Sequence, residues 1–357
     1  MPTAYNTLIL GASYGSLLAT KLLLAGHNVT LVSLPAEAQK INDSGTRVLL
    51  PVKGRKEPIE IRSSTLPGRL SSTVPSAVDP ARYDLVCLAM QEPQYGASGV
   101  RELLDVIAKA RKPCMSIMNM PPLTYLRRIS GLAIEPLRPS FTDPAVWQNF
   151  EPGLMTLCSP DPQAFRPEPE EVNLLKVTLP TNFKAARFVS EAPTAILRRM
   201  QADIEAIRYD TGEGRIELPV KLKVHESIFV PLAKWAMLIC GNYRCVQKDA
   251  ARSIKDAVHS DLAASRTVYD WVREVCIRLG AAPSDLVPFE KYANAALSLT
   301  RPSSAARALF AGAPHIERVD QLVQSIAAQK GMHSAVLDET VALVDARLAR
   351  NQEKKAA

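Results

Sequence analysis

The first 35 residues of the chain alternate between apolar runs and one short turn of small residues. Residues 7–10 are apolar, residues 11–16 form the turn, a helical pattern continues to Gly26, and residues 29–32 are apolar again. The order of strand, tight turn, helix and strand is the opening βαβ unit of a dinucleotide-binding domain. We therefore expect a parallel sheet flanked by helices.

The turn has the small side chains that a phosphate-binding turn requires. Bulky residues would keep a pyrophosphate away from the backbone N–H groups at the helix N-terminus, where the helix dipole favours anions. Gly11 matches the first glycine of the G-x-G-x-x-G pattern, whereas serines stand at the second and third glycine positions. The residues predicted to hold the cofactor here are Gly11, Ala12, Ser13, Tyr14, Gly15 and Ser16. An ordinary βαβ unit without a nucleotide is the alternative that this turn alone leaves open.

Length and hydropathy place the chain among globular proteins. Its 357 residues suffice for two domains, and it is 47% hydrophobic and 22% charged. No apolar run approaches the roughly 20 residues that a membrane-spanning helix needs. The N-terminus lacks the charged-then-apolar order of a signal peptide, so we expect a cytoplasmic protein without a membrane partner.

Cysteine spacing and charge exclude further classes of function. The six cysteines are scattered, with no C-x-x-C pair and no histidine cluster, which argues against a metal site and against a disulfide framework. The net charge is +7, but lysine and arginine are spread along the whole chain. We therefore expect no nucleic acid partner, and interpret the charge as a surface that attracts anionic cofactors and acids.

The pattern changes from mixed to helical along the chain. Residues 84–90 and 113–118 are predicted buried strands, with β-rich stretches at 45–75 and 136–185. Long helical patterns fill the chain from about residue 227. The predicted fold class is α/β, a Rossmann-type doubly wound parallel sheet followed by an all-helical C-terminal domain. The predicted limits are 1–222 for the dinucleotide-binding domain and 223–357 for the helical substrate domain.

A lysine is the candidate proton donor, because none of the five histidines lies in triad or metal spacing. Segment 231–242 is apolar nearly all round except for Lys234 and Asn242. Eight residues rotate a helix by about 80°, so these two side chains share one broad face. A lysine on an apolar helix must reach water, a carboxylate or a ligand. A lysine that merely extends its ammonium to solvent is the alternative.

Segment 300–320 combines a serine pair with a glutamate. Ser303 and Ser304 precede a helical stretch, where hydroxyl and N–H groups can donate to a carboxylate. Glu317 stands at the start of a predicted helix over 315–329, at a place where it could pair with a buried lysine. An ordinary helix cap and a surface charge at a helix N-terminus are the alternative interpretations.

Taken together, these features resemble the ketopantoate reductase family of the 6-phosphogluconate dehydrogenase-like superfamily, over nearly the whole chain. The resemblance implies that Lys234 is the general acid and that Glu317 positions its ammonium. It implies substrate contacts from Asn119, Asn242, Ser303 and Ser304. It further implies cofactor contacts from Met90, Gln91, Asn119 and Glu317.

Two positions depart from the family pattern. Leu238 stands where the family has an asparagine four residues after the lysine, and the loop at Gln91 lacks the family's second lysine. We therefore predict an NAD(P)H-dependent reductase whose substrate is a larger or more apolar 2-oxo acid, a related carbonyl or an imine. An opine-dehydrogenase-like enzyme and a catalytically inactive nucleotide sensor are the alternatives. A homodimer is expected.

The end of the second strand bears on cofactor choice. An NAD-dependent enzyme often has an acid there for the ribose hydroxyls. This chain has Ser33 instead, with no acid before Glu37, so NADPH is favoured over NADH. Ser33 is the predicted ligand of the 2′-phosphate, with Lys40 or Arg55 as further candidates.

Overall fold

The computed structural model describes residues 4–168 and 170–356. The strands are, in chain order, β1 (Asn6–Leu10), β2 (Asn28–Val32), β3 (Arg47–Leu50), β4 (Ile59–Arg62), β5 (Leu70–Thr73), β6 (Leu85–Leu88), β7 (Cys114–Ile117), β8 (Met155–Ser159), β9 (Gln163–Phe165), β10 (Leu174–Leu179), β11 (Phe183–Ala186), β12 (Tyr209–Asp210), β13 (Arg215–Ile216) and β14 (Leu222–His225). The helices are α1 (Ala12–Leu24), α2 (Pro35–Ser44), α3 (Val100–Lys109), α4 (Leu123–Leu126), α5 (Glu191–Ala206), α6 (Lys234–Met237), α7 (Ile254–His259), α8 (Leu262–Leu279), α9 (Phe289–Ala296), α10 (Ser304–Phe310), α11 (Val319–Gln329) and α12 (Ala335–Ala356).

The main sheet has eight strands in the order β14-β11-β8-β7-β6-β1-β2-β5. All its neighbouring strands pair in parallel except β8 and β11, which are antiparallel. The central strand β6 is fully buried, as the continuous apolar run of residues 84–90 predicts. The predicted α/β fold class, a parallel sheet followed by a helical region, is confirmed.

A second, four-stranded sheet has the order β4-β3-β10-β9. It takes β3 and β4 from the first β-rich stretch and β9 and β10 from the second, whereas β8 and β11 of the second stretch join the main sheet. Strand β10 pairs in parallel with β3, which places Val48 and Leu175 in one apolar core with helix α1. The small sheet thus shares an apolar core with helix α1.

Helix α1 packs closely on strand β1 because of a glycine. A Cβ on Gly15 would lie 2.7 Å from Cγ2 of Ile9, which is closer than real Cβ contacts allow. The third glycine of the dinucleotide pattern normally permits this approach of helix to strand. Here Gly15 does so, one residue before the serine that stands at the third glycine position.

The chain forms two compact units, each built from more than one segment. The first comprises the chain up to Met90 together with Gln94–Met118 and Val146–Glu226. The second comprises Gln91–Pro93, Asn119–Ala145 and the chain from Ser227 onward. The predicted limits, 1–222 and 223–357, treat each domain as one continuous segment. The two segments that follow strands β6 and β7 belong to the same compact unit as the C-terminal helices.

The helical run at Lys234 is not one regular α-helix, in contrast to the single helix that we expected across segment 231–242. A 3₁₀ turn at Val230–Ala233 leads into α6, a π-helical stretch covers Leu238–Asn242, and a 3₁₀ turn follows at Tyr243–Cys245. The hydroxyl of Tyr292 donates to the Met237 carbonyl, 3.1 Å away, and occupies the space that a side chain at Gly241 would need. The insertion of the Tyr292 side chain at this point accounts for the wider helical turn.

The cysteines are all buried thiols without disulfide bonds. Within the described residues, no group of three or more histidine, cysteine or acidic side chains is arranged to hold a metal ion. No helix in the described part of the chain combines the length and the apolar character needed to cross a bilayer.

Candidate functional site

A cavity in the second unit is lined by polar side chains from five separate segments of the chain. It is lined by Gln91, Asn119, Leu238, Asn242, Tyr243, Ser304, Ala305, Ile316 and Glu317. Five of these residues are ones that the sequence singled out for the cofactor or the substrate: Gln91, Asn119, Asn242, Ser304 and Glu317. Because Leu238 and Ile316 contribute apolar wall, the cavity offers both polar and apolar contacts.

Glu317 is the buried acid of this cavity. One carboxylate oxygen accepts a hydrogen bond from Nδ2 of Asn119 at 3.2 Å, and the other faces the backbone N–H of Glu92 at 3.4 Å. Burial raises the pKa of the Glu317 carboxyl, while these donors and the positive charge of Lys234 favour its ionised form. The charge of Lys234 therefore acts on Glu317, and their joint role in the chemistry stays a prediction.

The backbone around Glu317 is held by a buried tyrosine. The hydroxyl of Tyr243 donates to the carbonyl of Glu317 and accepts from the N–H of Val319 at 3.0 Å. Helix α11 begins only at Val319, whereas we had predicted Glu317 at the start of that helix. Glu317 therefore lies in the segment before the helix. Tyr243 stabilises this non-helical segment by satisfying backbone groups on both sides of Arg318.

Lys234 is the first residue of α6 and is half-buried, next to the fully buried Trp235. Four residues later the π-helical stretch begins, and it contains both Leu238 and Asn242. Both residues line the cavity. A π-helical stretch in an otherwise regular run is frequent at functional sites, because the wider turn redirects side chains.

The two serines that precede α10 have different environments. Ser303 is buried; its hydroxyl donates to the carbonyl of Asn242 at 2.7 Å and accepts from the N–H of Ala306 at 3.1 Å. It therefore caps α10 and ties that helix to the end of the π-helical stretch. Ser304 is exposed and lines the cavity. Of the two serines, only Ser304 is therefore accessible from the cavity.

Sequence reasoning did not find Glu92, which is almost completely buried in this unit. Its carboxylate accepts two hydrogen bonds from Thr142, one from the backbone N–H and one from the hydroxyl, each at 3.0 Å. Burial, and to a smaller extent the nearby Glu317, raise the pKa of Glu92 to about 7. The available signal was an acid that directly follows the strand-end residues Met90 and Gln91.

In the first unit, the predicted phosphate-binding turn lies at the carboxyl end of β1. Gly11 has a φ of +101°, and a Cβ there would lie 2.7 Å from the carbonyl oxygen of Ala89. Gly11 precedes α1 without a side-chain cap, which leaves the first-turn N–H groups of that helix to other acceptors. The turn thus has the features of an anion site at a helix N-terminus.

The other side chains of the turn mostly serve the protein itself. The hydroxyl of Tyr14 donates to the Pro162 carbonyl at 2.7 Å, and Ser16 is buried with its hydroxyl bonded to the carbonyl of Ala12. Ser13 and Ala12 belong to the first helical turn, with Ser13 half-buried. A phosphate would therefore contact backbone N–H groups and Ser13, rather than Tyr14 or Ser16.

Two more predicted cofactor residues lie at the ends of neighbouring strands. Ser33 follows β2, and its hydroxyl lies 3.0 Å from that of Ser72. Met90 follows β6, has its N–H bonded to the Tyr95 hydroxyl at 3.0 Å, and lies beside Gly11. The carboxyl ends of β1, β2 and β6 are adjacent in the sheet, which is the edge where open α/β sheets bind ligands.

No family model matches this sequence, and no curated protein is similar to it. Among solved structures, a 2-dehydropantoate 2-reductase from Methylococcus capsulatus is 15% identical, with a TM-score of 0.66 and 97% of each chain covered. A D-mandelate dehydrogenase in a ternary structure with NADH and anilino(oxo)acetate is 13% identical, with a TM-score of 0.63, and covers 97% of this chain and 99% of its own. The dimeric ketopantoate reductase of Staphylococcus aureus is 9% identical, with a TM-score of 0.59 and coverage of 97% and 99%. The fold of this chain is that of the ketopantoate reductases.

Proposed function

We propose that this protein is a nicotinamide-dependent reductase of a 2-oxo acid or a related carbonyl compound. The observation that carries the proposal is the arrangement of Glu317, which lines the cavity, is buried and bonded to Asn119, and lies close enough to Lys234 for the lysine charge to favour the ionised acid. A buried acid and an amide donor at a small cavity, with a cation near the acid, can bind a carbonyl oxygen and transfer a proton to it. The similarity in fold to reductases of oxo acids supports the same activity.

The first unit is suited to hold the cofactor. Its turn at Gly11 presents the N-terminus of α1 to a pyrophosphate, and Ser33 follows the strand that leads toward the adenosine ribose. When bound, a reduced nicotinamide supplies the hydride that the protein itself cannot provide. We propose NADPH as the cofactor, since no acid directly follows β2.

The residues of the second unit would handle the proton and orient the substrate. The ammonium of Lys234 would donate a proton to the carbonyl oxygen as that oxygen gains negative charge. Glu317 would keep the ammonium charged and aimed at the oxygen, and Lys234 would recover its proton from solvent. The product is a hydroxy acid, formed from one hydride on carbon and one proton on oxygen.

The cavity wall supports a substrate with an apolar side chain. Asn242 and Ser304 can donate to a carboxylate, whereas Leu238 and Ile316 offer only apolar surface. We therefore propose a larger or more apolar 2-oxo acid than ketopantoate. We further propose a cytoplasmic homodimer, in keeping with the dimeric S. aureus reductase of the same fold; size-exclusion chromatography with light scattering checks the dimer.

The test is a screen of oxo acids in the presence of NADPH or NADH. Oxidation of the reduced cofactor is followed by absorbance, with straight-chain, branched and aromatic 2-oxo acids, each with and without an added amine. Turnover of a branched or aromatic acid without amine supports the proposal. Turnover only in the presence of an amine would instead indicate an imine-reducing or opine-forming enzyme. Cofactor binding without any turnover would favour a nucleotide sensor.

A further inference from the structure

An ion pair joins two elements of the first unit that are far apart in the chain. Nη2 of Arg166 donates to Oε1 of Glu37, and the two residues are separated by 129 positions. Arg166 directly follows β9, the last strand of the small sheet, and Glu37 lies in the first turn of α2. The small sheet therefore brings a guanidinium to the start of α2, two residues after Ser33.

This position is where cofactor specificity is decided in a Rossmann-type sheet. At the carboxyl end of the second strand, an acid accepts hydrogen bonds from the free ribose hydroxyls of NADH, whereas an arginine accommodates the 2′-phosphate of NADPH. Here both charges are present, but the acid already has the guanidinium as its partner. The pairing offsets the repulsion that Glu37 alone would exert on a phosphate.

Arg166 retains donors for a further acceptor. A guanidinium carries five N–H donors, of which the bond to Glu37 uses one. Its Nε is buried and has no hydrogen-bond partner among the residues that the structure describes. About a quarter of the Arg166 side chain remains exposed to solvent. A planar guanidinium with free donors is suited to a phosphate group.

The two basic residues suggested by the sequence are less suitable. Nη2 of Arg55 is bonded to Oε2 of Glu213 at 2.8 Å, in the turn between β12 and β13 and not at the start of α2. Lys40 is exposed on α2, one turn beyond Glu37. Arg166 is instead bonded to the first turn of that helix itself.

We propose that Arg166, delivered by the small sheet and held by Glu37, binds the 2′-phosphate of NADPH together with the hydroxyl of Ser33. This inference rests on the proposed use of a nicotinamide cofactor. It adds a specificity-determining residue that comes from neither the phosphate-binding turn nor the second strand. Glu37 would act as the positioning residue of the guanidinium.

Direct binding measurements test this proposal without any knowledge of the substrate. The dissociation constants of NADPH and NADH, and of the fragments 2′,5′-ADP and 5′-AMP, are measured by titration calorimetry on the full-length wild type and on Arg166→Gln. Glutamine can still donate to Glu37 but has no charge. We expect NADPH and 2′,5′-ADP to bind about 10- to 100-fold more weakly to the variant, the range of a charge-assisted hydrogen bond. The affinity for NADH and 5′-AMP should stay within a factor of about 3, well below the effect of one such bond.

Arg55→Gln is the matched control, because it also removes a guanidinium that is paired with a glutamate in the same unit. It should leave the ratio of NADPH to NADH affinity unchanged. Equal weakening of both dinucleotides by Arg166→Gln would show that the pair only supports the fold, and would overturn the inference. A wild type that binds NADH and not NADPH would overturn it as well, while leaving the reductase proposal intact. A wild type that binds neither dinucleotide would overturn both.

Discussion

The backbone N–H of Glu92 faces the carboxylate of Glu317 at 3.4 Å, so two buried acids adjoin each other at the candidate site. The Glu92 side chain is anchored on Thr142, in a different segment of the chain. This anchor fixes the loop that supplies Gln91 to the cavity. Glu92 thus supports Glu317 through its backbone, and the charge of Glu317 in turn contributes to the raised pKa of Glu92.

The first prediction concerns pH and stability. The pKa of Glu92 is about 7 in the folded protein, above its usual value of 4.5, so the folded state binds more protons than the unfolded state between these values. The free energy of unfolding should therefore fall as pH rises from about 5 to 8, by up to about 3 kcal/mol from this group. The raised pKa of Glu317 acts in the same direction.

The Glu92→Gln variant isolates the contribution of Glu92. Glutamine can still accept from the N–H of Thr142 but does not ionise. Relative to the wild type, the variant should gain stability between pH 5 and pH 8, as measured by urea denaturation at both values. A constant difference between the two proteins across this range would contradict the raised pKa.

The second prediction tests the proposed general acid. Lys234→Ala should lower kcat by about 10²- to 10⁴-fold, the usual contribution of a positioned proton donor. The affinity for the cofactor should change little, because the predicted phosphate-binding residues belong to the first unit. Steady-state kinetics on the best oxo acid and a cofactor titration measure the two effects. Near-normal turnover in a folded variant would remove Lys234 from the chemistry.

The third prediction concerns the coupling of Lys234 with Glu317. Glu317→Gln keeps the shape and can still accept from Asn119, but it loses the charge that favours a positioned ammonium. Its kcat should fall less than that of Lys234→Ala, and the double variant should lose less than the product of the two single effects. Fully multiplicative losses would show that the two residues act independently.

The fourth prediction tests the phosphate-binding turn without disturbing Gly11, whose φ of +101° makes any replacement there strained. Ser13→Asp places a carboxylate in the first turn of α1, which favours the helix but repels a pyrophosphate. We expect the variant to be as stable as the wild type and to bind both dinucleotides at least about 10-fold more weakly, a loss of about 1.4 kcal/mol. Ser13→Ala is the control, because it removes the hydroxyl without adding a charge; we expect its affinity to fall much less than that of Ser13→Asp. Unchanged affinity in Ser13→Asp would place the phosphates elsewhere.

Local sequence patterns determined the regular parts of this protein. The apolar runs and the turn at Gly11 predicted the βαβ unit, because strands, tight turns and helices each have a characteristic residue spacing. Two further segments were found from the sequence alone. One is the apolar segment interrupted by Lys234 and Asn242, and the other combines Ser304 with Glu317 near predicted helix starts. Asn242, Ser304 and Glu317, which line one cavity, were identified in this way, as was Lys234, whose charge acts on Glu317.

Only the tertiary structure decided which distant residues meet. Glu92 is paired with Thr142 fifty positions away, and Arg166 with Glu37 across 129 positions. The π-helical stretch after α6 depends on the hydroxyl of Tyr292, and the segment at Glu317 depends on that of Tyr243. None of these contacts can be predicted from residue spacing along the chain, because each arises from strand order and helix packing rather than from neighbouring residues. The sequence by itself therefore determined the elements and most of the candidate chemistry, whereas packing decided the surroundings, the charge partners and the backbone geometry of that chemistry.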